Sequence, residues 1–455
     1  TTATYDPSTE QFILNTPTIT ATKWWPGALG KSVNYAVVIA QLWTNGKCYG
    51  PHPFWVQLRD LETHKSLPGS ITLGDIGPKL GTPSNDNGFL RFENYRIPRR
   101  HMLMKHAKVL PSGEYVPPLH AKVGYTSMMY VRSMMIYGHA IYLAQAATIA
   151  IRYSCIRRQG EIKPGAGEVK VLDYKTQQYR LFPVLAHVYA IAFTGLYINQ
   201  LYHTVIGDIN AGDVSLLADL HSLGSGLKAL TSWQITQGVE QCRLACGGHG
   251  YSDASGLPSI YTMENEGKMK NPITGYIFRK PTSSSQINEN SNVLDYLAAF
   301  EHNSRRLILS AFDYIQQQKK MGKSAEEAWN EAGVHLCHDI AVRHVMEDIL
   351  WLYLTYELEG FLSSHQMSII RKKLFTCLAR IRPNSVALVD SFDFTDRELR
   401  SVLGRKDGQV YENLLEWAKK SPLNEHDVLP FHEKYLGSAM REARKKREEM
   451  KILSY

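Results

Sequence analysis

The hydrophobic pattern of this chain changes its period near Tyr125. Before that point, short β-branched or aromatic runs alternate with turn residues, at 12–14, 18–22, 35–40, 54–56 and 89–92. After it, apolar residues recur at the spacing of helices that bury one face. Strands followed by helices are typical of the α+β class, in which the two kinds of element form separate layers. The sequence therefore predicts an α+β protein, mainly α, with a small β-barrel or sandwich domain followed by two helical-bundle domains.

Composition and breakers suggest where these domains begin and end. We expect a β domain over 1–105, a helical domain over 106–275, a polar linker over 276–292 and a second helical domain over 293–455. Within the helical domains we expect helices at about 128–153, 174–197, 216–223, 228–245, 293–321, 325–361, 367–381, 410–419 and 440–450. The stretch 256–292 is polar and is expected to be irregular.

Charge and cysteine usage narrow the class of protein. With 51 Lys+Arg against 43 Asp+Glu, the 455 residues carry a net charge of +8, which favours anionic ligands such as phosphates. The basic residues are too dispersed for a nucleic-acid-binding protein. The apolar run 184–198 is shorter than the roughly 18 residues of a membrane span, so we expect a core helix there and no membrane span. Six scattered cysteines predict reduced, mostly buried thiols of an intracellular protein.

Three glycines interrupt the run that ends at Cys242 and Cys246. They are Gly247, Gly248 and Gly250, and they follow an apolar, helix-forming stretch. Two interpretations stay open from the residues alone. The glycines could end a helix and form a turn, or they could let the backbone approach a flat or phosphorylated ligand without Cβ atoms in the way.

Two adjacent tryptophans, Trp24 and Trp25, precede Pro26 and Gly27 in the β region. In a strand, neighbouring side chains point to opposite faces, so one indole could lie in the core while the other covers it. Alternatively, one ring and the backbone amides of the Pro-Gly turn could border a flat aromatic ligand. A basic group, Arg157 and Arg158 with Gln159, sits in a predicted loop. It is either a surface loop or a site for a diphosphate, which guanidinium groups bind through paired hydrogen bonds.

These motifs together resemble those of the acyl-CoA oxidase and acyl-CoA dehydrogenase flavoproteins, and the likeness to the peroxisomal oxidases covers most of the chain. The resemblance implies FAD as cofactor, acyl-CoA as substrate and O2 as electron acceptor. It also implies a homodimer in which each flavin is held by two chains, and a peroxisomal location, although the chain ends in Ser454 and Tyr455 rather than in a Ser-Lys-Leu-type address. The cofactor-binding residues that it implies are Trp25, Gly27, Arg158, Gln159, Gly247 and Gly248.

The C-terminal pattern distinguishes between the two branches of this group. The stretches 386–394, 401–408 and 410–418 resemble the extra C-terminal helical domain of the oxidases, which the shorter dehydrogenases lack. On this basis we predict an oxidase that converts acyl-CoA to trans-2-enoyl-CoA with formation of H2O2, and we regard an acyl-CoA dehydrogenase as the alternative.

The chain departs from the family in two places. The family begins with a helical domain that does not precede Thr1, and the opening in mid-strand without a Met suggests that sequence once preceded it. Shortly after a segment like 255–261, the oxidases have a Glu-Gly-Glu-Asn motif whose first glutamate removes the α-proton. Here that region looks shortened and the usual helix looks absent, which leaves Glu264 and Glu266 as candidate bases. A truncated, non-catalytic oxidase subunit that acts by dimerisation is the further alternative.

Other patterns in the chain indicate no additional chemistry. His335, His338 and His344 lack a companion carboxylate or cysteine at metal-ligand spacing, so no metal site is expected. Neither a Rossmann fingerprint nor a phosphate-binding loop of the GKS or GKT type occurs. The Gly-Ser-Gly at Ser225 lacks the spacing of a hydrolase nucleophile elbow.

Overall fold

A computed structural model of the chain describes residues 1–83, 85–120, 123–264, 287–292, 295–296, 312–324, 328, 363–425, 428 and 432–452. Most of the predicted helices 293–321 and 325–361 lie outside the described residues, as do His335, His338 and His344. Residues 312–320 are helical, as expected.

Ten strands form the N-terminal part of the chain. They are β1 (Thr2–Asp6), β2 (Gln11–Asn15), β3 (Lys23–Trp24), β4 (Tyr35–Thr44), β5 (Lys47–Gln57), β6 (Ile71–Asp75), β7 (Gly88–Phe92), β8 (Tyr95–Pro98), β9 (Lys108–Val109) and β10 (Tyr115–Val116). One sheet has the order β5-β4-β1-β2-β8, a second has β3-β7-β6, and β9 pairs with β10. Apart from β1 and β4, which run parallel, the paired strands are antiparallel.

Local sequence explains how the longest pair of strands forms. β4 alternates buried and exposed residues, as expected for a strand with one face on the core. Asn45 and Gly46 join it to β5 with φ of 48° and 75°, the left-handed geometry that favours Asn-Gly in two-residue hairpins. Within the five-stranded sheet, Phe12 of β2 packs edge-on against Phe54 of β5 with ring centroids 5.0 Å apart, and both side chains are fully buried. These contacts give the β region a core of its own.

Four helices follow the strands: α1 (Thr126–Ile156), α2 (Lys175–Ala211), α3 (Leu217–Ala245) and α4 (Leu257–Glu264). The first three form a bundle around one apolar core. Gly195 of α2 lies so close to α1 that an added Cβ would be 2.8 Å from the backbone of Tyr137. Gly212, with φ of 95°, ends α2 by donating to the carbonyl oxygens of its last turn.

By length and composition alone, α1 and α2 could each cross a membrane. Of the most apolar stretch, 61% in α1 and 44% in α2 is buried inside the protein. Core helices of water-soluble proteins meet the same criteria, so the two helices are weak evidence for a span.

Among the described residues from 363 on, the C-terminal part contains five further helices: α5 (Ser364–Ile381), α6 (Ser385–Asp390), α7 (Asp396–Leu399), α8 (Val410–Lys419) and α9 (Ser438–Ile452). It docks on the end of α1 through Arg152, whose side chain is 5% exposed. Arg152 donates to the carboxylate of Asp390 from Nε at 2.9 Å and from Nη2 at 2.7 Å, and to the carbonyl oxygen of Gly404 at 2.7 Å. A buried guanidinium with three charge-assisted bonds holds the two helical regions together.

The predicted fold class is confirmed, and three local predictions are wrong. Residues 18–22 form a 3-10 turn over Ile19–Ala21 instead of a strand, because the Thr22 hydroxyl bonds to the Ile19 carbonyl and competes with a ladder. The two helices expected at 216–223 and 228–245 are one, α3, because Ser225 is accommodated by donating to the His221 carbonyl. The stretch expected to be irregular from residue 256 begins with α4. The helix that the family's glutamate motif opens, expected to be absent here, falls on residues outside the described ones.

The domain boundaries stay predictions. The short strands β9 and β10 lie beyond residue 105, and α1 begins at Thr126.

Candidate functional site

The first candidate segment is the loop that follows β3. The strand ends at Trp24, whose ring stacks on Phe89 with centroids 5.7 Å apart. Trp25 then adopts φ of 84°, which turns its side chain out of the sheet. The two indoles are 54% and 55% exposed, so the expectation that one of them occupies the core is wrong. The exposed ring of Trp25 beside the Pro26-Gly27 turn is compatible with the alternative interpretation, in which a ring and the turn border a flat aromatic ligand.

Asn87, just before β7, and Gly88, the first residue of β7, hold the start of this loop. The side-chain amide of Asn87 donates to the Trp25 carbonyl at 2.7 Å. The Trp25 amide donates to the Gly88 carbonyl at 3.0 Å, and the Gly88 amide donates to the Pro26 carbonyl at 3.0 Å. The peptide between Trp25 and Pro26 is therefore fixed on both sides.

Asp86 holds the far end of the same loop. Its Oδ2 accepts from the Lys31 amide and from the Ser32 hydroxyl, each at 2.8 Å, and its carbonyl accepts from the Gly30 amide at 3.2 Å. These hydrogen bonds, that of Ser32 first, lower the pKa of the Asp86 carboxyl below its ordinary value. The group is therefore ionised at neutral pH and remains an acceptor.

Gly27 in this loop and Gly88 at the start of β7 differ in whether the surrounding atoms leave room for a side chain. A Cβ on Gly88 would lie 2.5 Å from the Gly30 amide nitrogen and 2.8 Å from Leu29, so close backbone packing excludes a side chain there. Within the described part of the chain, the nearest atom to a Cβ on Gly27 is Asn85 Nδ2 at 3.8 Å, an ordinary contact. Gly27 also has no positive φ. Its lack of a side chain is thus not explained by the described residues.

The second candidate segment lies at one end of the helical bundle. Gln177 of α2 joins the ends of α1 and α3, because its Nε2 donates to Ser154 Oγ at 3.0 Å and to the Ala245 carbonyl at 2.9 Å. After α3, a 3-10 turn covers Gly247–Tyr251, and the ring of His249 packs edge-on against Tyr153 at 5.8 Å. The glycines therefore lie beside the end of α1.

The three glycines of this segment also differ. A Cβ on Gly250 would overlap the carbonyl oxygen of Arg243, so packing demands glycine there. Gly247 has φ of 59°, which favours glycine by conformation. Gly248 has no positive φ, and among the residues that the structure describes no atom lies within 4 Å of a Cβ built on it. Gly248 is exposed, and, as at Gly27, neither packing among the described residues nor backbone conformation requires a glycine there.

Arg158 and Gln159 continue from the end of α1 and are exposed. Arg158 forms an isolated bridge with Lys170, and its Nη1 donates to the Glu168 carbonyl at 3.0 Å. The Gln159 amide donates to the Val169 carbonyl at 3.0 Å. The fold thus fixes the backbone of this loop at the same end of the bundle as Gly247 and Gly248, while both side chains face outward.

Neighbouring titratable groups do not supply a nucleophile. Burial raises the pKa of Cys246 to about 12, and burial raises that of Cys242 as well, so both thiols stay protonated at neutral pH. Burial likewise raises the pKa of Tyr153 to about 12. The described cysteines are free thiols, as expected, but among them only Cys242 and Cys246 are buried, so the prediction that most of the thiols are buried is wrong for the described residues.

The structure describes the backbone of one candidate base, Glu264, but not of the other, Glu266. Glu264 is the last residue of α4, whose Leu257 is fully buried in the bundle core. Its side chain, and all of Glu266, lie outside the described residues. Within the described chain, no group of three or more His, Cys, Asp or Glu residues could hold a metal ion.

Sequence reasoning missed Asp86, Asn87 and Arg152. In the sequence, the run Asn85-Asp86-Asn87-Gly88 indicates only a turn before the apolar run 89–92, and Arg152 only a position in a helix. The signal for the first two was the Asp-Asn pair beside a glycine, since Asx side chains commonly bond nearby backbone. Arg152 and Asp390 are 238 residues apart in sequence, and nothing local pairs them.

Comparison with known proteins gives a consistent result. The family model described as "Acyl-CoA oxidase, C-alpha1 domain" matches residues 125–267, and the model "Acyl-CoA oxidase" matches 292–350 and 338–441. An acyl-coenzyme A oxidase of Caenorhabditis elegans, acox-1.1, is 45% identical over 507 residues that cover 98% of this chain and 75% of that protein. Peroxisomal acyl-coenzyme A oxidase 1 of Mus musculus is 45% identical, with 96% and 76% covered.

Solved structures agree with the sequence matches. Acyl-CoA oxidase-2 of Caenorhabditis elegans, bound with FAD, ascaroside-CoA and ATP, superposes with a TM-score of 0.90 at 42% identity and covers 97% of this chain and 75% of that chain. Acyl-CoA oxidase 1 of Arabidopsis thaliana has a TM-score of 0.85 at 37% identity, with 97% and 77% covered.

Proposed function

The chain belongs to the acyl-CoA oxidase family, and from that premise we propose that it binds FAD and oxidises an acyl-CoA to the trans-2-enoyl-CoA while O2 is reduced to H2O2. The matched family models and the relatives are acyl-CoA oxidases, which favours an oxidase over the alternative of a dehydrogenase. The observation that carries the proposal is 45% identity over 98% of the chain.

The two candidate segments fit a flavin cofactor. The half-exposed indole of Trp25 offers an apolar face, and the open backbone at Gly27 and Gly248 leaves room for a ligand that a Cβ would hinder. Arg158 donates one N–H to the Glu168 carbonyl, and its planar, always charged guanidinium suits a diphosphate. We assign Trp25, Gly27, Arg158, Gln159, Gly247 and Gly248 as the cofactor-binding residues.

The reaction requires one role of the flavin and another of the protein side chains. When bound, FAD supplies the acceptor for a hydride from the β-carbon of the substrate and passes the electrons to O2. The chain must bring a carboxylate to the α-carbon, with a pKa raised by an apolar environment, to remove the proton. We retain Glu264 and Glu266 as candidates for that base. The β3 loop and the end of the bundle would hold the flavin, and the glycines in them would leave it the space that side chains would otherwise fill.

Assembly and location complete the proposal. We infer a homodimer in which Arg158, Gln159, Gly247 and Gly248 of one chain contact the flavin bound by the other. We also propose a peroxisomal location, since several relatives are named peroxisomal acyl-CoA oxidases. The nematode oxidase bound with ascaroside-CoA supports an acyl-CoA substrate, while the acyl group remains to be identified by assay.

Purified protein reconstituted with FAD tests the function. We expect about one flavin per chain after dialysis, and H2O2 formation that depends on acyl-CoA and consumes O2 in equal amount. The double variant Glu264→Gln, Glu266→Gln should retain the flavin and lose the oxidation. Protein that retains no flavin, or that holds flavin but forms no peroxide with acyl-CoAs of several lengths, would contradict the proposal.

One observation favours a second candidate function. The alignment with the nematode relative runs over 507 residues, more than the 455 of this chain, so the relative carries internal residues that this chain lacks. The candidate bases lie close to the boundary between the two family matches, which end at 267 and begin at 292. A non-catalytic subunit that dimerises with a complete oxidase would explain both facts. Flavin-loaded protein that forms no peroxide alone, but alters the turnover of a complete oxidase on mixing, would support it.

A further inference from the structure

The loop after β3 is held in a conformation that it would not adopt by itself. Trp25 has φ of 84°, a left-handed backbone conformation that residues with a side chain rarely adopt. The hydrogen bonds that maintain it come from one short stretch, 86–88, which precedes and begins β7. Strain of this kind persists only where surrounding contacts over-determine it, and it concentrates at binding sites.

We propose that Asp86 and Asn87 are positioning residues for the flavin, acting through the backbone of the loop 25–32 rather than through contact with the cofactor. This inference rests on the proposed function, because it concerns the same site. Asn87 sets the conformation of Trp25, and Asp86 sets that of Lys31 and Ser32, so that Gly27 is held between two fixed ends.

The chemistry of the two side chains suits this role. Asn87 Nδ2 donates to the Trp25 carbonyl, while its Oδ1 accepts from Asn85 Nδ2 at 3.1 Å, so that both ends of the amide are oriented. Asp86 is a charged acceptor for two donors at 2.8 Å, a stronger arrangement than neutral pairs. Both residues are only partly buried. Removing either side chain therefore leaves the sheet core in place and mainly frees the loop.

Loss of these bonds should affect the cofactor more than the fold. In Asn87→Ala, Trp25 can relax toward a negative φ, which moves its indole and the Pro26-Gly27 turn. Part of the binding free energy is then spent on ordering the loop again. We expect the dissociation constant for FAD to rise about tenfold, which corresponds to roughly 1.4 kcal/mol. The melting temperature should stay within about 4 °C of that of the unsubstituted protein.

The test compares three variants with the unsubstituted protein. Asn87→Ala removes the donor to Trp25, and Asp86→Asn keeps an oxygen acceptor without the charge. Asp6→Ala is the matched control, because the Asp6 carboxylate also accepts from a backbone amide and a serine hydroxyl, both of Ser8 in the β1–β2 connection, and pairs with Arg96, away from the loop 25–32. Apoprotein would be titrated with FAD while flavin fluorescence is followed, and the absorption spectrum and reduction potential of the saturated protein would be recorded.

The outcomes separate this inference from the proposed function. We expect weaker binding and an altered flavin spectrum in Asn87→Ala, a smaller loss in Asp86→Asn, and unchanged binding in Asp6→Ala even if its stability falls. Unsubstituted protein that binds FAD, with Asn87→Ala binding equally tightly and with the same spectrum, would overturn the positioning role alone. If Asp6→Ala weakened FAD binding as much as Asn87→Ala, the effect would be one of stability, and the inference would be wrong. Unsubstituted protein that binds no FAD would overturn the proposed function and this inference together.

Discussion

The loop after β3, together with the start of β7 that packs against it, and the segment after α3 belong to different parts of the protein, yet each region contains two kinds of glycine. Gly88 and Gly250 are enclosed by backbone, and a Cβ on either would collide with it. Gly27 and Gly248 face open space or an ordinary contact, and neither has a positive φ. The enclosed glycines are explained by the fold. For Gly27 and Gly248 the described residues give no such reason, and we propose that the flavin occupies the space that a Cβ would fill.

The two regions also differ in what supports them. The β3 loop is held by hydrogen bonds from residues 86–88 within its own domain, whereas the end of the bundle is reinforced by the C-terminal helices through Arg152. Local support depends on a few neighbouring residues, while the support of the bundle end depends on docking of distant ones. The comparison therefore predicts different consequences for substitutions in the two regions.

The largest effect should follow from Arg152→Ala at the bundle end. The substitution leaves the partly buried carboxylate of Asp390 without its cation, and loss of one partner of a buried pair costs roughly 3–5 kcal/mol. Urea unfolding measures the loss. Lys419→Ala is the control, since its pair with Glu416 is 61% and 56% exposed and should contribute under about 1 kcal/mol. Equal losses in the two variants would contradict the role of Arg152 in docking.

Gly250→Ala should cost about 3 kcal/mol, because the new methyl group must displace the backbone at Arg243. Thermal unfolding of the apoprotein, without flavin, provides the measurement. An alanine that is tolerated at this position without loss of stability would break the distinction between enclosed and open glycines.

Acid should weaken the bundle before it weakens the β3 loop. Burial, and then the charge of Lys228, lower the pKa of His139 to about 4, and its Nδ1 lies 2.9 Å from Thr231 Oγ1. In the unfolded chain the imidazole of His139 takes up a proton below about pH 6.5, whereas in the folded protein it stays neutral down to about pH 4. The free energy of unfolding therefore falls as the pH drops from about 6.5 toward 4, by up to about 3 kcal/mol. Asp86, whose pKa is lowered, keeps its charge over that range.

Unfolding measured at several pH values between 7 and 4 tests this difference, with His139→Asn as the comparison. The variant should lose less stability with acid than the unsubstituted protein does. Parallel stability curves for the two proteins would show that His139 does not control the acid response of the bundle.

The sequence allowed the fold class and the glycine segments to be predicted, because strand and helix periods and runs of glycine are local signals. It did not reveal that Trp25 has a left-handed backbone, because that conformation is imposed by Asn87 and Gly88. Asn87 lies 62 residues further along the chain, although the fold brings it next to Trp25. Nor did it separate Gly248 from Gly250, because the collision at Gly250 involves Arg243 in the folded turn. The proposed site residues came from the family resemblance, whereas their supporting contacts required the three-dimensional structure.

The affinity of Gly248→Ala for FAD tests the central claim most directly. Gly207→Ala is the matched control, because Gly207 is also an exposed glycine without a positive φ, with no described atom within 4 Å of an added Cβ. Both variants should be as stable as the unsubstituted protein, or more stable by up to about 1 kcal/mol. We predict that the dissociation constant for FAD rises at least about tenfold in Gly248→Ala and stays unchanged in Gly207→Ala. Unchanged FAD affinity in Gly248→Ala would contradict the account, since the open glycine would then have no ligand to accommodate.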